Sequence, residues 1–366
     1  MSTAAVRVPF NTLRPGDDRA VIDAAIARVI DSGWFVLGPE VAAFEAEFAA
    51  ATAAGHAVGV NTGTDAIALA LRALDIGPGD EVITAPLSAA YTALAIDMTG
   101  ARPVFADIDP SRLTLDAAAV DAAVTPRTRA IVPVHLYGQP ADMEAIARVA
   151  ARHGLAVVED ACQAHLATVA GRPVGRGSVA AAYSFYPTKN LGALGDGGAV
   201  TTDDAALAER VRRLRNGGQS SRYHHDERGV NSRLDELQAA ILRARLTGLP
   251  VANAARRRLA ARYRAALMAA PVEVPPECDP GHVYHLFPVL SAARDRFQDH
   301  LRAGGVETLV HYPVPIPRQP AARSWTPAVC PVADDVCSRV VSLPLYPSLA
   351  DAAQDEVVRA VQAFTR

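Results

Sequence analysis

Lysine is almost missing from this chain: of 36 basic side chains only Lys189 is lysine, and the other 35 are arginine. Cysteine is scarce as well. Cys162, Cys278, Cys330 and Cys337 lie far apart, with no CxxC pair and no secretory leader, a pattern that predicts a cytoplasmic protein without a structural metal. No charge of one sign dominates, because 39 acidic residues offset the bases to a net −3, and a nucleic-acid partner is therefore not expected. No uninterrupted apolar run is long enough to cross a bilayer, so no membrane partner is expected either. With only 20% charged residues against 50% hydrophobic ones, the chain can bury a large core and has little room for long disordered stretches. At 366 residues, the composition predicts two domains, or one large α/β domain with a smaller appendage.

The chain is rich in alanine, arginine, glycine, proline and valine, as when a GC-rich coding bias turns interchangeable lysines into arginines. Lys189 withstood that drift. An exposed lysine becomes arginine at little cost, whereas a site that needs a neutral amine nucleophile cannot, because guanidinium stays protonated.

Short apolar runs alternate with helical patterns between residues 56 and 203. Strands are predicted at Ala57–Asn61, Glu81–Ala85, Arg102–Asp107, Ala130–Leu136, Ala156–Asp160, Ala181–Phe185 and Gly198–Thr202. Helical periodicity falls at Asp65–Leu74, Leu87–Met98, Asp116–Ala123 and Pro140–His153. This alternation predicts an α/β fold, a mostly parallel sheet with helices on both faces and a ligand site at the carboxyl ends of its strands. Amphipathic helices are expected before it, at Asp17–Ser32 and Pro39–Ala53, and after it, at Asn231–Leu246 and Ala252–Ala270. The arginines of the last helix, Arg256, Arg257, Arg258, Arg262 and Arg264, read as a solvated face. The large domain is taken as residues 1–250. A linking helix and a smaller α+β domain fill 251–366, set off by the proline-bearing stretch Pro271–Pro280 and closed by a helix at Ala350–Phe364.

Four features carry chemistry. Lys189 follows a strand in Ser184-Phe185-Tyr186-Pro187-Thr188-Lys189-Asn190-Leu191-Gly192, and Gly195-Asp196-Gly197-Gly198 then supplies glycines for close backbone approach and positive φ. Such a lysine can form a Schiff base with an aldehyde cofactor if its pKa is lowered. Asp160, at the end of Val157-Val158-Glu159-Asp160, can hold a pyridine nitrogen protonated, or simply cap the next turn. Thr62-Gly63-Thr64 opens a helix, where N–H groups and the dipole suit a phosphate or where Thr62 is a plain cap. Asn231 precedes another helix and reads equally as a cap.

In this order, Ser184–Gly198, Glu159–His165 and Asn231–Ala240 resemble the DegT/DnrJ/EryC1/StrS family of sugar aminotransferases, and the resemblance runs from Val8-Pro9-Phe10 to Ser342-Leu343-Pro344-Leu345. It implies a fold-type I pyridoxal 5'-phosphate (PLP) transferase with a smaller C-terminal domain. Lys189 would carry the Schiff base and move protons, Asp160 would pair with the ring nitrogen, and Gln163 would lie by the ring and its phenolic oxygen. Gly63, Thr64 and Ser184 would hold the phosphate, and Asn231 would reach the phosphate in the neighbouring subunit of a homodimer. Family members typically take the amino group from L-glutamate, through pyridoxamine 5'-phosphate (PMP), to a keto carbon of a nucleotide-linked deoxysugar or, in some, of a cyclitol. The surroundings of Gly63 and Asp160 look closer to members that aminate a 3-keto hexose than a 4-keto one.

Two departures fall in the substrate half. Ala89, within Ser88-Ala89-Ala90-Tyr91-Thr92, stands where relatives carry a stacking aromatic, which Tyr91 could replace, and Pro317 stands where many place a histidine. His135 and His165 are candidates for sugar contacts or for structural roles. Three other readings compete. A sugar dehydratase on this fold carries histidine in place of the lysine, a non-catalytic nucleotide-sugar-binding regulator has no need of Lys189 and Asp160 together, and a nicotinamide enzyme would show GxGxxG after its first strand.

Overall fold

A computed structural model describes residues 5–325 and 327–365. Two helices, α1 (Arg19–Ser32) and α2 (Pro39–Ala51), precede the alternating core. The core then runs β1 (His56–Val60), α3 (Gly63–Ala73), β2 (Glu81–Thr84), α4 (Tyr91–Met98), β3 (Arg102–Phe105), α5 (Ala117–Ala123), β4 (Thr128–Val132), α6 (Met143–His153) and β5 (Ala156–Asp160). A two-residue ribbon, β6 (Thr168–Val169) with β7 (Arg172–Pro173), leads to β8 (Ala180–Ser184), β9 (Gly198–Thr202) and α7 (Ala205–Arg215).

All seven strands expected from the sequence join one sheet in the order β1-β9-β8-β5-β4-β2-β3. Every pairing from β8 to β3 is parallel, whereas β9 runs antiparallel to both β8 and β1. The cause is the connection. Parallel neighbours need a crossover, usually a helix, and residues 185–197 between β8 and β9 contain none, so the chain turns back at the carboxyl end of β8. Lys189 rides on that turn.

Both faces of the sheet are buried. Val82, Val132, Val158 and Ala182 pack on the side of Ile67, Leu71 and Val211, while their neighbours Ile83, Ile131 and Val157 join a second cluster with Ile146 and Val149. Alternating residues thus feed two cores, and the strands read as continuous apolar runs. Helix starts follow local chemistry: the side chains of Thr62, Asp142 and Asp204 accept N–H bonds from the first turns of α3, α6 and α7.

Beyond α7 come the ribbon β10 (Gln219–Ser221) with β11 (His224–His225), then α8 (Glu236–Leu246) and α9 (Leu249–Ala266). The C-terminal part pairs β12 (Phe287–Leu290) with β13 (Val340–Leu343), flanked by α10 (Arg294–Ala303), α11 (Pro331–Arg339) and α12 (Asp351–Gln362). Tyr263, Phe287, Phe297, Val341 and Val357 form its own apolar cluster, which also takes in Val8 from the N-terminal segment.

The solvated-arginine reading of α9 fails at one position. Arg258 and Arg262 face outward onto Asp351. Arg256 is buried, and its Nη1 donates to the carbonyls of Tyr284, His285 and Leu345. Its period on the helix turns it inward, where carbonyl oxygens rather than water satisfy its Nη1 while its buried Nε finds no partner among the described residues. Among the described residues no helix is long and apolar enough to cross a membrane, and no cluster of His, Cys, Asp or Glu could hold a metal ion.

Candidate active site

The carboxyl ends of β5 and β8, the start of α3 and the segment around His311 enclose a cavity of about 590 Å³. Gly63, Thr64, Asp160, Gln163, Ser184 and Lys189 all line it, with Ser88, Ala89, Tyr91, Thr92, Cys162, His285 and Tyr312. Six of the seven residues singled out from the sequence therefore converge. Asn231 does not: it is exposed, and its backbone bridges to Asn216 outside the cavity of its own chain. Its neighbour Ser232 reaches the same helix start, donating its hydroxyl to Asp65 Oδ2 at 2.8 Å and accepting the N–H of Asn61 at 3.1 Å.

Asp160 caps the next turn and also lines the cavity. Oδ1 accepts the Cys162 N–H at 3.1 Å, capping the turn, while Oδ2 accepts the Thr92 hydroxyl at 2.7 Å. Only 5% of its surface is exposed, so two donors fix the carboxylate rotamer and leave its remaining lone pairs to the cavity. Burial pulls the Lys189 ammonium below the ordinary lysine value, against the opposing pull of Cys162 and Asp160. A larger share of neutral, nucleophilic amine results.

At the start of α3, the Thr62 hydroxyl accepts the Asp65 N–H at 3.0 Å and is spent as the cap of the helix. The N–H groups of Gly63 and Thr64 have no intrahelical acceptor, which makes this helix start an anion seat. Glycine is required at position 63, because a Cβ there would fall 2.6 Å from Ser184 Cβ and 2.7 Å from Cys162 Sγ. The glycines after Lys189 act by close approach and not by positive φ. A Cβ on Gly198 would meet the Thr62 carbonyl oxygen at 2.3 Å, yet none of the glycines from 192 to 198 has a positive φ.

The two lone histidines are structural. Ala141 donates its N–H to His135 Nδ1 at 3.0 Å, so His135 carries its proton on Nε2, which donates to Glu159 at 2.7 Å. His165 lies buried against Tyr183 and Phe185, and burial, reinforced by the charge of Lys189, lowers its pKa to about 3. His311, on the cavity wall, is lowered by the same two effects to about 4 and is a neutral ring at working pH. At the position of the missing stacking aromatic, Ala89 does line the cavity, and Tyr91 lines it two residues on.

A neutral-leaning amine, a doubly anchored carboxylate and an anion seat at a helix start, set around one cavity, form the donor set that PLP needs for its aldehyde, ring nitrogen and phosphate. The residues fit the cofactor. The chain belongs to the DegT/DnrJ/EryC1/StrS aminotransferase family, whose model matches residues 17–362, and it is a PLP-dependent aminotransferase. It is 51% identical to a Streptomyces venezuelae protein named dTDP-3-amino-3,4,6-trideoxy-alpha-D-glucose transaminase, over 98% of this chain and 96% of that one. A Saccharopolyspora erythraea relative, named erythromycin biosynthesis sensory transduction protein EryC1, is 49% identical over 97% of this chain and 99% of its own. Among solved structures, S. venezuelae DesV in complex with a ketimine intermediate superposes with a TM-score of 0.94 at 51% identity, covering 97% of this chain and 98% of that one.

Proposed function

We propose that this enzyme transfers an amino group from an amino acid, L-glutamate, to the 3-keto carbon of a dTDP-linked deoxyhexose. The observation that carries this reading is the end-to-end 51% identity to a transaminase named for a dTDP-3-amino sugar, with Lys189 and Asp160 both present in the cavity. When bound, PLP supplies an aldehyde that captures amines and a ring that takes up electrons. Lys189 contributes the amine that anchors the aldehyde and, once free, a base whose Nζ takes a proton from one carbon and returns it to another. Asp160, aimed by Thr92 and Cys162, would keep a proton on the ring nitrogen. Gly63, Thr64 and Ser184 would hold the phosphate by hydrogen bonds. Lys189 and Asp160 together, of no use to a binding protein, weigh against a purely sensory role of the kind named for the S. erythraea relative.

The reading includes a homodimer with shared sites, in the cytoplasm. Trp34, Phe35 and Val36 stand 56%, 50% and 43% exposed, and on the Lys189 turn Tyr186 and Leu194 stand 51% and 41% exposed. Exposed apolar side chains of this number suit burial by a second copy, and in such a dimer Asn231 would reach the neighbouring phosphate. We propose the division into residues 1–250 and 251–366 as two domains: one apolar cluster lies wholly in the first, a second lies in the other apart from Val8, and a third packs across the boundary between them.

The test is incubation of the PMP-loaded enzyme with dTDP-3-keto and dTDP-4-keto deoxyhexoses, followed by mass detection of the amino sugar and of returned PLP. Product from the 3-keto sugar is expected. Turnover of the 4-keto sugar alone would overturn the regiochemistry.

A further inference from the structure

Gln163 is 4% exposed, and both ends of its side-chain amide are engaged. Its Oε1 accepts the backbone N–H of Tyr137 at 2.7 Å, and its Nε2 donates to the Tyr312 hydroxyl at 3.2 Å. A backbone N–H can only donate, so the amide has one orientation and its second Nε2 hydrogen remains for the cavity. The Tyr312 hydroxyl, on the cavity wall, gives its own proton to no acceptor among the described residues.

The three partners come from distant parts of the chain. Tyr137 follows β4 and sits in the left-handed region, φ 60°, a conformation strained for a non-glycine residue. The same residue holds the C-terminal part in place. Its hydroxyl donates to the His311 carbonyl, its carbonyl accepts the Leu286 N–H at 3.3 Å, and the Gly138 carbonyl accepts the Val283 N–H at 3.0 Å. Tyr312 in turn follows a segment bridged to β13 through Leu309 and Ser342. The amide of Gln163 is therefore held between the central sheet and the C-terminal ribbon, and a shift of one against the other alters what Gln163 offers the cavity.

We propose that Tyr312 is a positioning residue of the aminotransferase site, holding the Gln163 amide so that the seating of the C-terminal part is transmitted to the cofactor ring. This inference rests on the PLP reading and on the expectation that Gln163 lies by the phenolic oxygen. Burial pushes the Tyr312 phenol up to about 12, so the hydroxyl stays protonated and keeps accepting from Gln163 across the working pH range.

The test uses PLP-loaded protein and reads the pH midpoint of its Schiff-base absorbance, together with PLP affinity. Tyr312→Phe keeps the ring and removes the hydroxyl. Its midpoint should move by about half a pH unit or more, the scale of one altered hydrogen bond, in the same direction as in Gln163→Leu. Once Gln163→Leu is in place, adding Tyr312→Phe should move it no further. A merely structural tyrosine would lower the melting temperature without this dependence on Gln163. Should Tyr312→Phe fail to fold, Tyr137→Phe carries the same cycle, since it cuts the bond to the His311 carbonyl and keeps the backbone donor. Yellow protein whose midpoint is unmoved, or moves equally in both backgrounds, overturns the positioning role alone. A parent protein that never turns yellow overturns the PLP reading first.

Discussion

Gly63→Ala is the sharpest probe of the phosphate seat, because the structure supplies both the clash and its consequence. The added Cβ would lie 2.6 Å from Ser184 Cβ, 2.7 Å from Cys162 Sγ and 3.2 Å from Ser184 Cα. Carbon pairs settle at roughly 3.5–4.0 Å, so the start of α3 and the end of β8 must part by about 1 Å. Neither can swing aside: Ser184 Cα is backbone, pinned by the β8 to β9 pairing of Ser184 with Gly198. Overpacking of this kind costs about 1–3 kcal/mol, and the better helix propensity of alanine returns up to about 1 kcal/mol. The apo protein should therefore remain folded.

PLP affinity should suffer more. A displacement of about 1 Å takes a hydrogen bond out of its working range, and each bond to a charged phosphate is worth about 1.5–3 kcal/mol. Losing one weakens PLP binding roughly 10- to 150-fold. Equilibrium dialysis of PLP against apo protein reads this directly, with Gly177→Ala as the control, since a Cβ there meets nothing within 4 Å. If Gly63→Ala binds PLP within about threefold of the parent while Gly177→Ala does the same, the phosphate does not sit at the start of α3.

Other expectations follow from the same geometry. Borohydride reduction of the yellow protein should fix the chromophore on Lys189, and label at the N-terminal amine instead would refute the Schiff-base assignment. Asp160→Asn keeps the shape, removes the charge and should lower turnover by about 10³- to 10⁴-fold with PLP still bound; near-normal rates would remove Asp160 from its role. Lys189→Ala and Asn231→Ala chains, mixed at limiting PLP after subunit exchange, should regain activity above either parent, because one site of the heterodimer keeps both groups. Confirmed exchange without gain would place Asn231 outside the partner's site. For Glu81, burial alone would raise the pKa, but bonds from Thr125, Arg127 and Arg102 outweigh it and hold the carboxyl at about 2. Its stabilisation is thus fully present above the usual carboxylate range and lost as pH falls toward about 2. Glu81→Gln should flatten acid unfolding in that window, and an unchanged acid profile would refute the assignment.

The place of the candidate site was legible in the sequence where it depends on one residue type at one strand end. Lys189 stood out because arginine could not replace it, and Asp160 because a carboxylate closes an apolar strand that the fold class aims at the ligand. What anchors them was not legible. Thr92 looks like any polar residue at a helix start, yet its hydroxyl fixes Asp160 from 68 positions away. Tyr137 and Tyr312 carry no local signature either, since their role exists only once β4, β5 and the C-terminal ribbon meet.

Arg256 shows the same limit from the other side. By composition it belongs to an exposed arginine run, but helical period turns it inward toward three carbonyls, and no pattern of charge announces that. The carbonyl of His285 is one of them, and His285 also lines the cavity and meets Asn190, the neighbour of Lys189, through Nδ1 at 3.2 Å. Burial, then the charges of Lys189 and Arg256, drive the His285 pKa well below the ordinary imidazole value. A neutral ring near the Lys189 amine adds no second positive charge to the cavity. The buried guanidinium thus contributes to the site without touching it, holding in place the backbone that carries His285 and helping to keep the imidazole uncharged.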